Sequence, residues 1–131
     1  MNESTGMLMR KYIPERKPKP AKWLALSETR RLALVEKAHN DVDMGLEPSS
    51  KLAHAAMHVA VENQLALEVP EVVSAFERLR KEGLDRHDCI HAVASVLIEH
   101  LFDNEIPDMA RCYAELEALT AKGWIKRYSE I

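Results

Sequence analysis

Two histidine pairs at helical spacing are the residues of this sequence best suited to chemistry. His54 and His58 are four positions apart, and His87 and His91 repeat that spacing. A four-residue step on an α-helix turns about 40° beyond a full circle and rises about 6 Å, so both members of a pair lie on one face. Since neutral imidazole is a common ligand of metal ions, each pair could hold one ion.

Chance does not readily supply two such pairs. With six histidines in 131 residues, random placement gives roughly a quarter of one pair at this spacing. An unsatisfied polar group among the surrounding alanines and valines costs on the order of 1 to 3 kcal/mol, and a shared ion removes that cost. We therefore predict a nitrogen-rich metal site made by both pairs.

Glu62 and His39 are further candidate metal ligands. Glu62 follows His58 by four residues, but it is about 12 Å from His54 along a straight helix, too far for one simple mononuclear site. We predict that Glu62 either binds a second ion or interacts with a metal-ligating residue without contacting the ion itself. His39 is either a ligand or a core histidine that hydrogen-bonds a carbonyl or carboxylate, because it shares a helical stripe with apolar residues.

The ion and its chemistry follow from the donor atoms. Imidazole-rich sites suit zinc, iron, nickel or copper better than magnesium or calcium, so zinc is the expected ion and iron the alternative. A site with an open coordination position could activate water for hydrolysis, with Glu62 or Asp88 as proton acceptor. A closed four-histidine site would be structural. The layout also resembles hemerythrin-like di-iron proteins, although the order of ligands differs. Enzymatic activity is left open.

The hydrophobic pattern predicts an all-α protein, a compact four- to five-helix bundle. Capping residues, prolines and glycines set the helix boundaries. Five helices are predicted. The first runs from Ser27 to Gly45, the second covers residues 51–68, and the third runs from Pro70 to Gly83. The fourth begins at Asp85, and the fifth runs from Pro107 or Asp108 to Gly123. The second and fourth helices, which carry the histidine pairs, are apolar on nearly every side and are expected to be buried all round.

The N-terminal segment differs in charge from the rest of the chain. Residues 1–22 hold six basic and two acidic residues, a net charge of +4, and because the whole chain carries -3 the remainder carries -7. Such an acidic body argues against nucleic-acid binding. We expect a solvated, partly disordered arm over 1–22 and a single helical domain over 23–131. Weak contact of the arm with RNA or a protein partner is the alternative.

The sequence lacks the motifs of several functional classes. Cys89 and Cys112 are the two cysteines and form no C-x-x-C motif, which favours a reducing cytoplasm. No apolar run reaches the roughly 18 residues of a membrane span, and the first residues lack a signal-peptide core. No glycine-rich phosphate loop or G-x-S-x-G motif occurs. A homo-oligomer or a protein partner remains open.

Two motifs cover residues 52–66 and 82–93. They read L-x-H-x-x-x-H-V-x-V-E-N-Q-L-A and E-G-L-D-R-H-D-C-I-H-A-V. Together they resemble a bacterial family of small histidine-rich helical proteins, domain of unknown function 1841. The resemblance spans residues 21–103 and implies the helical fold and the histidine pairs, but no reaction.

A competing interpretation is a helical protein–protein interaction module. In that case the histidines are polar residues of the core, and the surfaces of the third and fifth predicted helices bind the partner. This alternative predicts no bound metal, so replacing His58 with alanine would leave the metal content unchanged.

Overall fold

The computed structural model describes residues 9–40, 48–102, 106 and 108–129, with side chains over 9–38, 51–100, 106 and 108–126. Every regular element in these ranges is an α-helix, which confirms the all-α class. These ranges contain seven helices rather than four or five: α1 (Pro20–Leu24), α2 (Glu28–Asn40), α3 (Pro48–Ala66), α4 (Pro70–Lys81), α5 (Arg86–Phe102), α6 (Met109–Ala118) and α7 (Ala121–Ser129).

The chain divides into two compact units, residues 1–67 and residues 68–131. The first unit contains α1, α2 and α3, and both shorter helices pack against α3. The second contains α4 to α7, with α4, α5 and α6 packed against one another. The predicted single domain over 23–131 stays a prediction. Within the described ranges, none of the helices is long and apolar enough to cross a membrane.

The helix starts of the first unit follow local rules. Pro20 occupies the first turn of α1, where its missing N–H leaves no hydrogen bond unmade. The backbone N–H of Arg30 donates to the Ser27 hydroxyl oxygen at 3.1 Å, which confirms Ser27 as the cap of α2. The predicted end of this helix at Gly45 lies outside the described residues.

A cluster of buried apolar side chains forms the core of the first unit: Tyr12, Trp23, Leu26, Leu34, Val35, Ala55 and Val59. Tyr12 is 1% exposed, although it lies in the segment that we expected to be a solvated arm. For this residue the expectation is wrong, because its ring packs against Trp23 with the centroids 5.7 Å apart. Burial of two aromatic rings supplies apolar contact that proline and charge content do not reveal.

The predicted all-round burial of the helix carrying the first histidine pair is wrong. Leu52 is 47% exposed, and Ala53 and Ala56 are also exposed. Ala55, Val59 and Val61 are buried. Alanine has little apolar surface, so its presence in a helix does not decide which face is covered.

The second unit begins with two helices whose boundaries agree with the prediction. Pro70 opens α4, and Gly83 follows the helix with φ 107, a left-handed conformation that glycine adopts without strain. The Asp88 backbone N–H then donates to Asp85 Oδ1 at 2.7 Å, so Asp85 caps α5 as predicted. These two caps set the point at which the second histidine pair begins.

The fifth predicted helix is instead two helices. Asp108 caps α6 as predicted, but α6 ends at Ala118, and Leu119 is extended with φ -68 and ψ 130. The Thr120 hydroxyl then accepts from the Gly123 backbone N–H at 3.0 Å and starts α7. Gly123 therefore lies inside α7 rather than at a helix end. A Cβ at this position would lie 2.9 Å from the Thr120 hydroxyl, so a larger residue here would require the hydroxyl to shift.

Candidate metal centre

The first histidine pair lies on α3 with both rings on one face. The ring centroids of His54 and His58 are 5.0 Å apart and their planes are inclined by 33°. His58 is 0% exposed, whereas His54 is half-buried. The four-residue spacing therefore brings the two rings together as predicted.

A buried chain of hydrogen bonds holds the ring of His58. Tyr12 Oη donates to Glu62 Oε2 at 2.6 Å and lies 3.1 Å from His58 Nδ1. A phenol has one proton, and here it goes to the carboxylate, so the Tyr12 oxygen accepts the Nδ1–H of His58. A neutral His58 ring consequently carries its proton on Nδ1 and its lone pair on Nε2.

Burial makes this chain important for the stability of the first unit. Tyr12 is 1% exposed and Glu62 is 2% exposed. A buried carboxylate needs hydrogen-bond donors to compensate for lost hydration, and the phenol supplies one. Glu62 is thus joined to His58 through the Tyr12 hydroxyl, and its predicted action on a metal-ligating residue stays a prediction. Its predicted role as a ligand of a second ion stays a prediction.

The second histidine pair lies at the start of α5. The centroids of His87 and His91 are 4.5 Å apart with their planes inclined by 68°, and both residues are half-buried. His87 stands in the first turn, two residues after the Asp85 cap. The positive end of a helix dipole disfavours an imidazolium there, and neutral imidazole is the form that binds metal.

The positively charged side chain of Arg86, next to this pair, packs against a neighbouring aromatic ring. Arg86 is 6% exposed, and its guanidinium carbon lies 5.5 Å from the centre of the Phe76 ring. This cation–π contact places the guanidinium against the Phe76 ring of α4 and stabilises a buried charge at the start of α5.

The four paired histidines each offer one ring nitrogen as a candidate metal ligand. The identity of an ion does not follow from this group. The side chain of His39 lies outside the described residues, so its predicted ligand role stays a prediction. Asp88 is half-buried on α5, and its predicted part in proton transfer likewise stays a prediction.

His100 differs from the surface residue that its position near a helix C-terminus indicates. It is 4% exposed, and its Nε2 lies 2.6 Å from Glu115 Oε2 on α6. Because α6 packs against α5, the neighbouring helix covers this histidine and provides a carboxylate partner. Packing between helices, which local sequence does not encode, buries this side chain.

Both cysteines are core residues. Each is 0% exposed. Desolvation by burial raises the pKa of Cys89 to about 11, and burial also raises the pKa of Cys112. The Cys89 thiol lies 3.8 Å from the carbonyl oxygen of Leu84, to which it donates. A neutral thiol is a poor nucleophile, so neither residue has the properties of a reactive cysteine.

Tyr12 is the residue of this region that sequence reasoning missed. It stands among basic residues and prolines, and no periodic pattern links it to α3. The available signal was an aromatic side chain in a segment otherwise poor in apolar residues. Asn63 joins α3 to the two preceding helices, since its Oδ1 accepts from Trp23 Nε1 at 2.9 Å and Arg31 Nη1 at 3.0 Å.

No family model matches this chain, and neither the curated proteins nor the solved structures gave a significant match. The resemblance to domain of unknown function 1841 therefore stays a prediction based on the two motifs.

Proposed function

We propose that this protein binds one transition metal ion through His54, His58, His87 and His91. The observation that carries the proposal is the close approach of the rings within each pair, since the two pairs offer four imidazole nitrogens as ligands. Four nitrogen donors complete a tetrahedral site, the geometry that structural zinc sites adopt. The ion would then connect α3 to α5.

The surroundings of each pair support metal binding by neutral imidazole. In α3, hydrogen bonding places the His58 proton on Nδ1 and leaves Nε2 as the ligand atom. In α5, the helix N-terminus disfavours protonation of His87. The hydrogen bond thus sets the ligand atom of His58, and the helix N-terminus favours the neutral form of His87.

Zinc is the ion that we propose, with iron as the alternative. Imidazole is a donor of intermediate softness, and first-row transition metals bind it better than magnesium or calcium do. A filled four-histidine shell leaves no position for substrate, so the proposed role is structural. We also propose a cytoplasmic location, which buried free thiols at Cys89 and Cys112 suit.

Metal content tests this function directly. The protein is purified without a histidine tag, and zinc, iron, nickel and copper are measured by elemental mass spectrometry beside the variants His58→Ala and His91→Ala. We expect close to one ion per chain in the wild type and loss of that ion in both variants. His100→Gln is the matched control, because this histidine is also buried on α5 but pairs with Glu115. It should retain the ion.

Other outcomes would identify a different arrangement. Two ions per chain, with each variant losing only one, would mean that the pairs bind metal separately. A wild-type protein that is free of metal and cannot be reconstituted with zinc or iron would contradict the proposal. The histidines would then be polar core residues, as the interaction-module alternative requires.

A further inference from the structure

Tyr12 carries a hydroxyl group that its packing in the first unit does not require. Its ring already lies against Trp23 and meets the His58 ring edge to face, with the latter centroids 5.9 Å apart. A phenylalanine would keep both ring contacts. The hydroxyl group adds two hydrogen bonds that join a histidine to a carboxylate.

The direction of these hydrogen bonds has a chemical consequence for His58. With Nδ1–H donating to the phenol and the phenol donating to Glu62, the ring can neither move its proton to Nε2 nor rotate without breaking a hydrogen bond in a buried site. Such an arrangement resembles the carboxylate–histidine–metal triads in which a hydrogen bond to the second ring nitrogen fixes the tautomer and strengthens the ligand.

We propose that Tyr12 is a positioning residue, which fixes His58 for metal binding through Nε2 and transmits the charge of Glu62 to that ligand. This inference rests on the proposed metal-binding function. It assigns Glu62 to the hydrogen-bond chain instead of the ligand shell. It also assigns a role to the N-terminal segment, which contains none of the four proposed ligands.

The charge of Glu62 gives the chain its electrostatic effect. An ion held by four neutral imidazoles retains a charge of +2, and a buried cation of that size requires compensation. The carboxylate stabilises the bound ion through the phenol and the imidazole, because each hydrogen bond polarises the next. Loss of the phenol removes this connection while all four proposed ligands remain.

The test is the variant Tyr12→Phe in the full chain. Zinc affinity is measured by competition with a chromophoric chelator, and the His58 tautomer is read from two-dimensional ¹⁵N–¹H NMR spectra of its ring. We expect zinc affinity to fall about 10- to 100-fold with unchanged stoichiometry. The wild-type ring should show Nδ1–H with Nε2 as the ligand, and the variant should lose this fixed pattern.

Tyr113→Phe is the matched control, since it deletes the same atom from a half-buried tyrosine on α6. It should leave zinc affinity and the His58 spectrum unchanged. Glu62→Gln provides a second variant, because glutamine can still accept from the phenol but carries no charge. We expect it to retain the Nδ1–H tautomer and to lose affinity by a smaller factor, about 10-fold or less. Circular dichroism establishes that each variant is folded.

The results separate this inference from the proposed function. If Tyr12→Phe binds zinc as tightly as the wild type with the same His58 tautomer, the positioning role is overturned and metal binding stands. If the wild type binds no metal, the proposed function fails. In that case the tautomer of His58 in the metal-free protein still tests the hydrogen-bond assignment. An Nδ1–H tautomer in the wild type but not in Tyr12→Phe supports the assignment, and equal spectra refute it.

Discussion

The histidine pairs of the two units have the same spacing but different surroundings. In the first unit, His58 is fully buried and belongs to a polar network with Tyr12 and Glu62. In the second unit, His87 and His91 remain half-buried at the start of α5, while the rest of that helix buries mostly apolar residues and a neutral thiol.

This difference shows two ways in which a folded chain acts on an imidazole ring. A buried ring needs an explicit hydrogen-bond partner, and the partner of His58 comes from a distant segment. A ring at a helix N-terminus is instead influenced by the backbone dipoles of its own helix. The hydrogen bond to His58 depends on tertiary packing, whereas the effect of the helix dipole on His87 depends on local structure. Substitutions should therefore affect the two pairs differently.

Removal of the Tyr12 side chain should have the largest effect on stability. Tyr12→Ala deletes a buried aromatic ring and two hydrogen bonds, and we expect the free energy of unfolding to fall by about 3 to 5 kcal/mol. Urea denaturation followed by circular dichroism measures this change. Tyr113→Ala, at a half-buried position, should cost distinctly less. Equal losses in the two variants would show that the polar network does not distinguish the first unit.

Alkaline pH should reveal the burial of the Cys89 thiol in the second unit. The pKa of Cys89 is about 11 in the folded chain against an ordinary value of 9.0, so the thiolate forms more readily in the unfolded state. Stability is therefore complete below pH 9 and declines as the pH rises toward 11, by up to about 3 kcal/mol for this group.

Cys89→Ala should lack this contribution. Its free energy of unfolding, measured in urea at pH 8 and pH 10.5, should decrease less than that of the wild type. The comparison between proteins removes the effect of other groups that titrate in this range. Parallel decreases in the two proteins would rule out ionisation of Cys89 as a source of alkaline destabilisation.

Loss of the α5 cap should have the smallest effect on stability but a selective effect on metal binding. Asp85→Ala removes the acceptor of the Asp88 N–H and should cost about 1 kcal/mol. Because the first turn of α5 carries His87, fraying there should also weaken zinc binding. Asp108→Ala removes an equivalent cap from α6 and should reduce stability similarly with zinc affinity unchanged. Identical zinc affinities in both variants would argue against local control of the second pair.

Local rules predicted much of the fold. The period of an α-helix places His54 beside His58 and His87 beside His91, whatever the tertiary structure. Likewise, the caps at Ser27, Asp85 and Asp108 involve atoms only three residues away. These features could be read from the sequence because the interacting groups are close along the chain.

Features that depend on distant contacts could not be predicted in this way. The burial of Tyr12 requires α1 and α3, and the burial of His100 requires α6. Gly123 was taken for a helix end because glycine commonly has that role, but the Thr120 hydroxyl makes it the first turn of another helix. Side-chain packing and competing caps decide such positions, and neither has a unique local pattern.

The separation between Tyr12 and its partners also affects the order of folding. Tyr12 lies 46 residues before His58 and 50 before Glu62. Contacts across such distances require closure of a long loop, whereas the histidine spacing on α3 forms with the helix itself. During synthesis Tyr12 leaves the ribosome before its partners exist. A newly made chain therefore acquires the histidine pair of α3 before it acquires the hydrogen bond that orients one of the two rings.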